Sequence, residues 1–154
     1  MEFAVNRPVG LMTPTRTDTL GRSLFMGGSL LIFYIAIGGV VGTLGRWLLQ
    51  VWIQTSAHAG SFPLGTLIIN LSGSVVLGFV ARLGTSSSIL SPEMRGGLTI
   101  GLCGAFTTMS TFSYESLQLL ADGDYVRAGV YMAGTVVGSI LAVLVGSMVC
   151  GRLL

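Results

Sequence analysis

Four long apolar stretches occupy most of this chain, and they decide its solvent before any motif is considered. They run from about Ser23 to Trp52, Phe62 to Arg82, Met94 to Leu120 and Tyr125 to Cys150. Each supplies the roughly 20 residues a helix needs to cross a hydrocarbon core. Backbone groups in lipid find no water, so each stretch must satisfy its own N–H and C=O groups. The expected fold class is therefore all-α integral membrane, with four transmembrane helices per subunit. Charge content agrees. Only 9% of the 154 residues are charged, against about 25% in soluble domains, too few to cover a surface in water. The basic residues are eight arginines, and the formal charge of +2 is too small to suggest a nucleic-acid partner.

The joining stretches are short: Gln54–Ser61, Leu83–Glu93 and Ala121–Asp124. Their Ser, Pro, Gly and Asp residues suit turns at a membrane exit. Residues 1–22 differ from the rest: rich in Thr, Pro and Arg, they read as a disordered or surface tail, leaving 23–154 as the transmembrane domain. Arg22 before the first stretch and Ala57-His58-Ala59 after it resemble a signal peptide with its cleavage site. The apolar run is much longer than the roughly 7–15 residues of a signal core, so the stretch is read as a retained helix. Four crossings place both termini on one side, with Arg7, Arg16, Arg22, Arg82, Arg95 and Arg152; Arg46 and Arg127 fall on the other. The arginine bias favours cytoplasmic termini. One copy is too small to build the two repeats of a typical transporter, so pairing is expected.

Polar residues inside the apolar stretches carry the functional information. In the second stretch Thr66, Asn70 and Ser74 lie four apart, on one helical face. Asn70 either hydrogen-bonds to a neighbouring helix or faces a pore, where its amide can donate to an anion. The third stretch holds Gly101-Leu102-Cys103-Gly104-Ala105-Phe106-Thr107-Thr108-Met109-Ser110-Thr111-Phe112-Ser113-Tyr114-Glu115. Two glycines followed by clustered hydroxyls make a poor uninterrupted lipid helix. A break is expected at Gly104, in mid-membrane, with Thr hydroxyls satisfying the freed backbone. Beyond it Met109, Phe112 and Glu115 follow at intervals of three, along one face. Glu115 is either a buried functional acid or a residue near the membrane edge. In the fourth stretch Tyr131, Thr135 and Ser139 form a polar stripe, and Gly134 and Gly138 a small-xxx-small packing pattern. The first stretch has Gly38 and Gly42 at that spacing, then Arg46, which snorkels to the interface or anchors a polar vestibule. Cys103 and Cys150 have no CxxC or Cys/His companion and read as buried apolar residues. No Walker loop, HExxH or nucleophile with a histidine base is present, so enzyme activity has little support.

Gly42 and Arg46, the run GTLxxN from Gly65 to Asn70, and GxxGxFTTxSTFSxE from Gly101 to Glu115 together resemble the CrcB-like, or Fluc, family of fluoride channels. The resemblance covers about residues 32–150. It implies an antiparallel dimer with a second copy or a paralogue, two fluoride pores, and passive fluoride export across the inner (plasma) membrane. It also implies a central structural sodium ion on the backbone carbonyls of Gly104 and Thr107 at the helix break. Asn70 corresponds to the pore asparagine, position 109 and Phe112 to the pore phenyl pair, Glu115 to the buried acid and Arg46 to the vestibule arginine. Tyr131, Thr135 and Ser139 correspond to the hydroxyl track, and Ser110 and Thr111 add donors beside the phenyl pair. Met109 departs from the pattern, which usually has Phe there. A phenyl edge is positive and can approach an anion; a thioether fills space without such an edge. The arginine asymmetry is a second departure, since chains that insert both ways carry little bias. The main rivals are a fluoride–proton exchanger using Glu115 and a small dual-topology multidrug-type exporter. The latter needs an acid in the first stretch, which has none.

Overall fold

The computed structural model describes residues 16–56 and 62–154, and among them every regular element is helical. Helix α1 (Arg16–Ser56) is 41 residues long, about 60 Å at 1.5 Å per residue. It begins inside the expected tail, so residues 16–22 are helical, while 1–15 and His58 lie outside the described residues. Helix α2 is Leu64–Ser86. Among the described residues three spans are long and apolar enough to cross a membrane: Gly28–Thr55, Leu64–Ser86 and Tyr125–Leu153.

The third apolar stretch is not one helix. It starts with α3 (Pro92–Gly96), capped by Ser91, whose hydroxyl accepts from the Met94 N–H at 3.2 Å. A π-helical stretch (Gly97–Cys103) and a short α4 (Gly104–Phe106) continue it. The chain then leaves the helix at Thr107 (ψ 159°) and Thr108 (ψ 110°) before α5 (Met109–Ala121) begins. The expected break at Gly104 is therefore displaced. Gly104 is itself helical, at φ −64° and ψ −36°, and the interruption falls three residues later. A tight turn at Asp122-Gly123-Asp124 follows, with Gly123 at φ 76°, a left-handed backbone that suits glycine. It leads into α6 (Tyr125–Leu153). Asp124 caps α6 by accepting from the Arg127 N–H and pairs with the Arg127 guanidinium at 3.3 Å.

Glycines set two close helix crossings. Gly38 and Gly42 of α1 lie against the carbonyls of Gly97 and Leu102 in the π-helical stretch. Gly78 of α2 lies against the Val143 carbonyl, and Gly146 of α6 against that of Val75. A Cβ at any of these four positions would collide with backbone. The Gly134/Gly138 pattern behaves differently from the expectation: Gly134 faces open space and Gly138 meets only the Leu71 side chain. The packed core is small. Phe112, Leu119, Ala128 and Tyr131 form its buried cluster, joining α5 to α6. Many large apolar side chains point outward along α1 and α6, as lipid or another protein surface requires.

Candidate functional site

The interruption between α4 and α5 organises the site. Thr108 is buried, and its peptide is gripped from both sides by one side chain. The Thr108 N–H donates to Asn70 Oδ1 at 2.8 Å, and Asn70 Nδ2 donates to the Thr108 carbonyl at 3.2 Å. In a continuous helix the Thr108 N–H would donate to the Gly104 carbonyl, four residues back. The Thr111 N–H would likewise donate to the Thr107 carbonyl; it turns instead to the Thr108 hydroxyl at 3.3 Å. The Gly104 and Thr107 carbonyls thus both lose their helical donors. Of the two sequence-level readings of Asn70, the interhelical bond is present; its second amide N–H is not consumed by it.

Glu115 ties three helices together. Its Oε1 accepts from the Thr66 hydroxyl of α2 at 3.0 Å, and its Oε2 from the Tyr131 hydroxyl of α6 at 2.7 Å. Tyr131 and Thr66 are fully buried. Tyr131 packs on Phe112 at 5.3 Å between ring centroids and on Phe62 at 5.9 Å.

Three cavities surround these residues. An inner cavity, a half-open groove of about 310 Å³ beside the interruption, lies between α2 and α6; Asn70, Ser74, Thr108, Met109, Thr135 and Ser139 are among its lining. Thr135 belongs to that lining, is almost completely buried (5% exposed), and its hydroxyl has no partner among the described residues. A vestibule of about 420 Å³ is lined by Arg46, Gln50, Thr66, Thr108 and Thr111, with apolar residues of α1. A mouth of about 610 Å³ is lined by Gln50, Gln54, Glu115, Gln118, Asp122 and Asp124 among others. Thr108 is common to the inner cavity and the vestibule, and Gln50 to the vestibule and the mouth.

The expected polar faces are therefore divided. Thr135 and Ser139 line the inner cavity, whereas Tyr131, the third member of their stripe, sits in the core against Glu115. Met109 and Phe112 share the inner cavity, but Met109 is 69% exposed and Phe112 only 7%. Thr111 lines the vestibule with Arg46; Ser110 is exposed beside the Thr108 hydroxyl at 3.4 Å. Gly104 and Thr107 lie on the rim of the inner cavity. Sequence reasoning missed two residues: Thr108, the shared hub, and Gln50, which follows Arg46 by one helical turn and was legible from that spacing alone.

The sequence pattern of the family described as CrcB-like protein, Camphor Resistance (CrcB), matches residues 33–147. This chain belongs to the CrcB-like family. The match takes in every residue of the three cavities and of the interruption. Curated relatives point to the same family. The chain is similar to the fluoride-specific ion channel FluC 1 of Methanosarcina acetivorans, 45% identical over 117 residues, 76% of this chain and 88% of the relative. It is 39% identical over 115 residues to the fluoride-specific ion channel FluC of Chlorobium phaeobacteroides, 75% of this chain and 88% of the relative. It is 37% identical over 124 residues to that of Geobacter metallireducens, 80% of this chain and 99% of the relative. As a CrcB-like protein with several long apolar helices, it is a multi-pass membrane protein.

Proposed function

We propose that this protein is a fluoride-selective passive channel that lets fluoride leave the cytoplasm across the inner (plasma) membrane. The observation that carries the reading is the Thr135 hydroxyl, buried without a partner among the described residues, on a residue that lines one cavity with Ser139, Ser74 and Asn70. A buried hydroxyl left unpaired costs about 1–3 kcal/mol. A small ion that accepts hydrogen bonds would remove that cost. Fluoride is strongly hydrated, so a pore must replace its water with donors. Thr135, Ser139, Ser74 and the spare Asn70 N–H form such a set, and the names of the relatives point to the same ion. Met109 and Phe112 form the apolar wall of that passage. Arg46 and Thr111 in the vestibule draw the anion toward Thr108. No energy source is required. An inside-negative potential of 100 mV favours outward movement of one negative charge by about 2.3 kcal/mol.

The working unit in this reading is an antiparallel dimer with a second copy or a paralogue, seated on α1, which is the least covered of the three long spans. The interrupted stretch then lies in mid-membrane as the fourth crossing. The two carbonyls stripped of their helical donors, Gly104 and Thr107, suit a hard cation such as sodium. Sodium there would supply a fixed positive charge at the dimer centre and lock the interruption. The proton-exchange alternative is less well supported. Both Glu115 oxygens are engaged with Thr66 and Tyr131, which makes this carboxylate a structural tie.

The deciding experiment is fluoride efflux from liposomes loaded with potassium fluoride and triggered by valinomycin, with chloride-loaded liposomes as control. Fast fluoride release without chloride release, unchanged by a proton gradient, is expected. Equal release of both ions, or release that tracks the proton gradient, would overturn the reading.

A further inference from the structure

Arg46, Gln50 and Gln54 are four apart on α1 and form one polar row in its last third, where Leu, Val, Ile and Trp dominate the other faces. Arg46 lines the vestibule, Gln54 the mouth, and Gln50 both. The mouth side carries the carboxylates Glu115, Asp122 and Asp124, which repel an anion. Anything negative that moves between the two spaces therefore needs donors where they meet, and Gln50 is the polar α1 side chain at that place.

Its local packing is unusual for a glutamine. The Gln50 amide lies directly on Gly65, at the start of α2. A Cβ at Gly65 would sit 2.5 Å from Gln50 Oε1 and 2.6 Å from Nε2. The half-buried amide thus occupies a seat that only glycine leaves open. Among the described residues nothing hydrogen-bonds to it, although the group offers two N–H donors. A long polar side chain loses rotamer freedom when held in place, and no hydrogen bond among the described residues repays that loss.

We infer that Gln50 is a specificity-determining ligand of the permeating anion, its amide N–H donors bridging the acidic mouth and the Arg46 vestibule, and that Gly65 is the positioning residue that holds it there. This rests on the channel reading above. A neutral amide suits the place. It donates to a small, hard anion in passing, without the tight hold that a second arginine beside Arg46 would add.

The test is a double-mutant cycle on fluoride efflux, using full-length protein in liposomes. Gln50→Met keeps the length and removes the donors; a hydrogen bond to an ion is worth enough for roughly a tenfold fall in the fluoride rate. Gly65→Ala should give a comparable fall by displacing the amide. The pair together should be no slower than Gln50→Met alone, because the seat has no value once the amide is gone. Full fluoride flux in Gln50→Met overturns the inference, as does a Gly65→Ala loss that simply multiplies with it. Size-exclusion profiles and helical content of each variant are read alongside. If Gly65→Ala does not assemble, Gln50→Glu takes its place: it keeps the shape, inverts the polarity, and must slow fluoride more than Gln50→Met does. A parent protein that releases no fluoride fails the channel reading itself, whereas a conducting parent with an indifferent Gln50 fails this inference alone.

Discussion

Asn70→Ala should loosen the interruption between α4 and α5, and the size of the effect follows from two distances. The Asn70 amide satisfies both polar groups of the Thr108 peptide, accepting at 2.8 Å and donating at 3.2 Å. Thr108 is only 7% exposed, so neither group can turn to water without local opening. Each buried group left unpaired costs about 1–3 kcal/mol, so the truncation should cost about 2–6 kcal/mol. The assay is reversible unfolding in mixed detergent micelles as the fraction of denaturing detergent rises. Ser74→Ala, one turn along the same face, is the control and should shift the midpoint little. Flux should disappear in Asn70→Ala even where the protein remains assembled, because the Thr108 hub and the spare N–H are lost together. If Asn70→Ala unfolds within about 0.5 kcal/mol of the parent, a change typical of neutral surface positions, the clamp does not hold the interruption and the argument fails.

Other outcomes follow from single contacts. Thr135→Val keeps the shape and removes a hydroxyl with no partner among the described residues; stability should hold or rise while fluoride efflux falls by about tenfold, the worth of one hydrogen bond to an ion, and an unchanged rate would remove Thr135 from the path. Met109→Phe should leave stability unchanged, because the side chain is 69% exposed in the protomer, and should preserve or raise efflux; a large loss would show that local packing is fitted to Met. Gly146→Ala should separate α2 from α6 at the Val75 carbonyl and cost about 1–3 kcal/mol as overpacking does. Gly134→Ala, in open space, should instead stabilise by roughly 0.5–1 kcal/mol through helix propensity, and equal midpoints for these two alanines would contradict the described crossing.

Features with a short-range cause were legible in the sequence. Chain length and hydropathy place α1, α2 and α6, because a crossing helix answers only to its own residues and to lipid. The four-residue spacing of Thr66, Asn70 and Ser74 places one face correctly, and all three do turn toward α5 or the inner cavity. The position of the interruption was misread by three residues. Gly104 has the weaker helix propensity, yet the peptide that leaves the helix is the one Asn70 can reach, and that partner is 38 residues away. Tyr131 shows the same limit. Its stripe mates Thr135 and Ser139 line the cavity, but a phenol is long enough to reach Glu115 and large enough to fill the core against Phe112. The Gly134/Gly138 pattern was outweighed by Gly78 and Gly146, which meet backbone carbonyls on the facing helix. The spacing of Gln50 from Arg46 puts the two on one face of α1, but the seat on Gly65 depends on a second helix and lies beyond any local pattern.

The grip of Asn70 on Thr108 also bears on how the chain is made. If the third stretch crosses the membrane as proposed above, the second enters before the third has left the ribosome, so the clamp exists before the peptide it will hold. Segment 92–121 arriving alone would keep its helical hydrogen bonds through Thr107 and Thr108, since nothing else in lipid could replace them. It can give them up only once α2 stands beside it and offers both a donor and an acceptor. In that reading, insertion of the third stretch and its bending are successive events, the second gated by lateral contact with an earlier helix. A synthetic peptide of that stretch in micelles should be continuously helical, and the kinked form should be a property of the assembled chain.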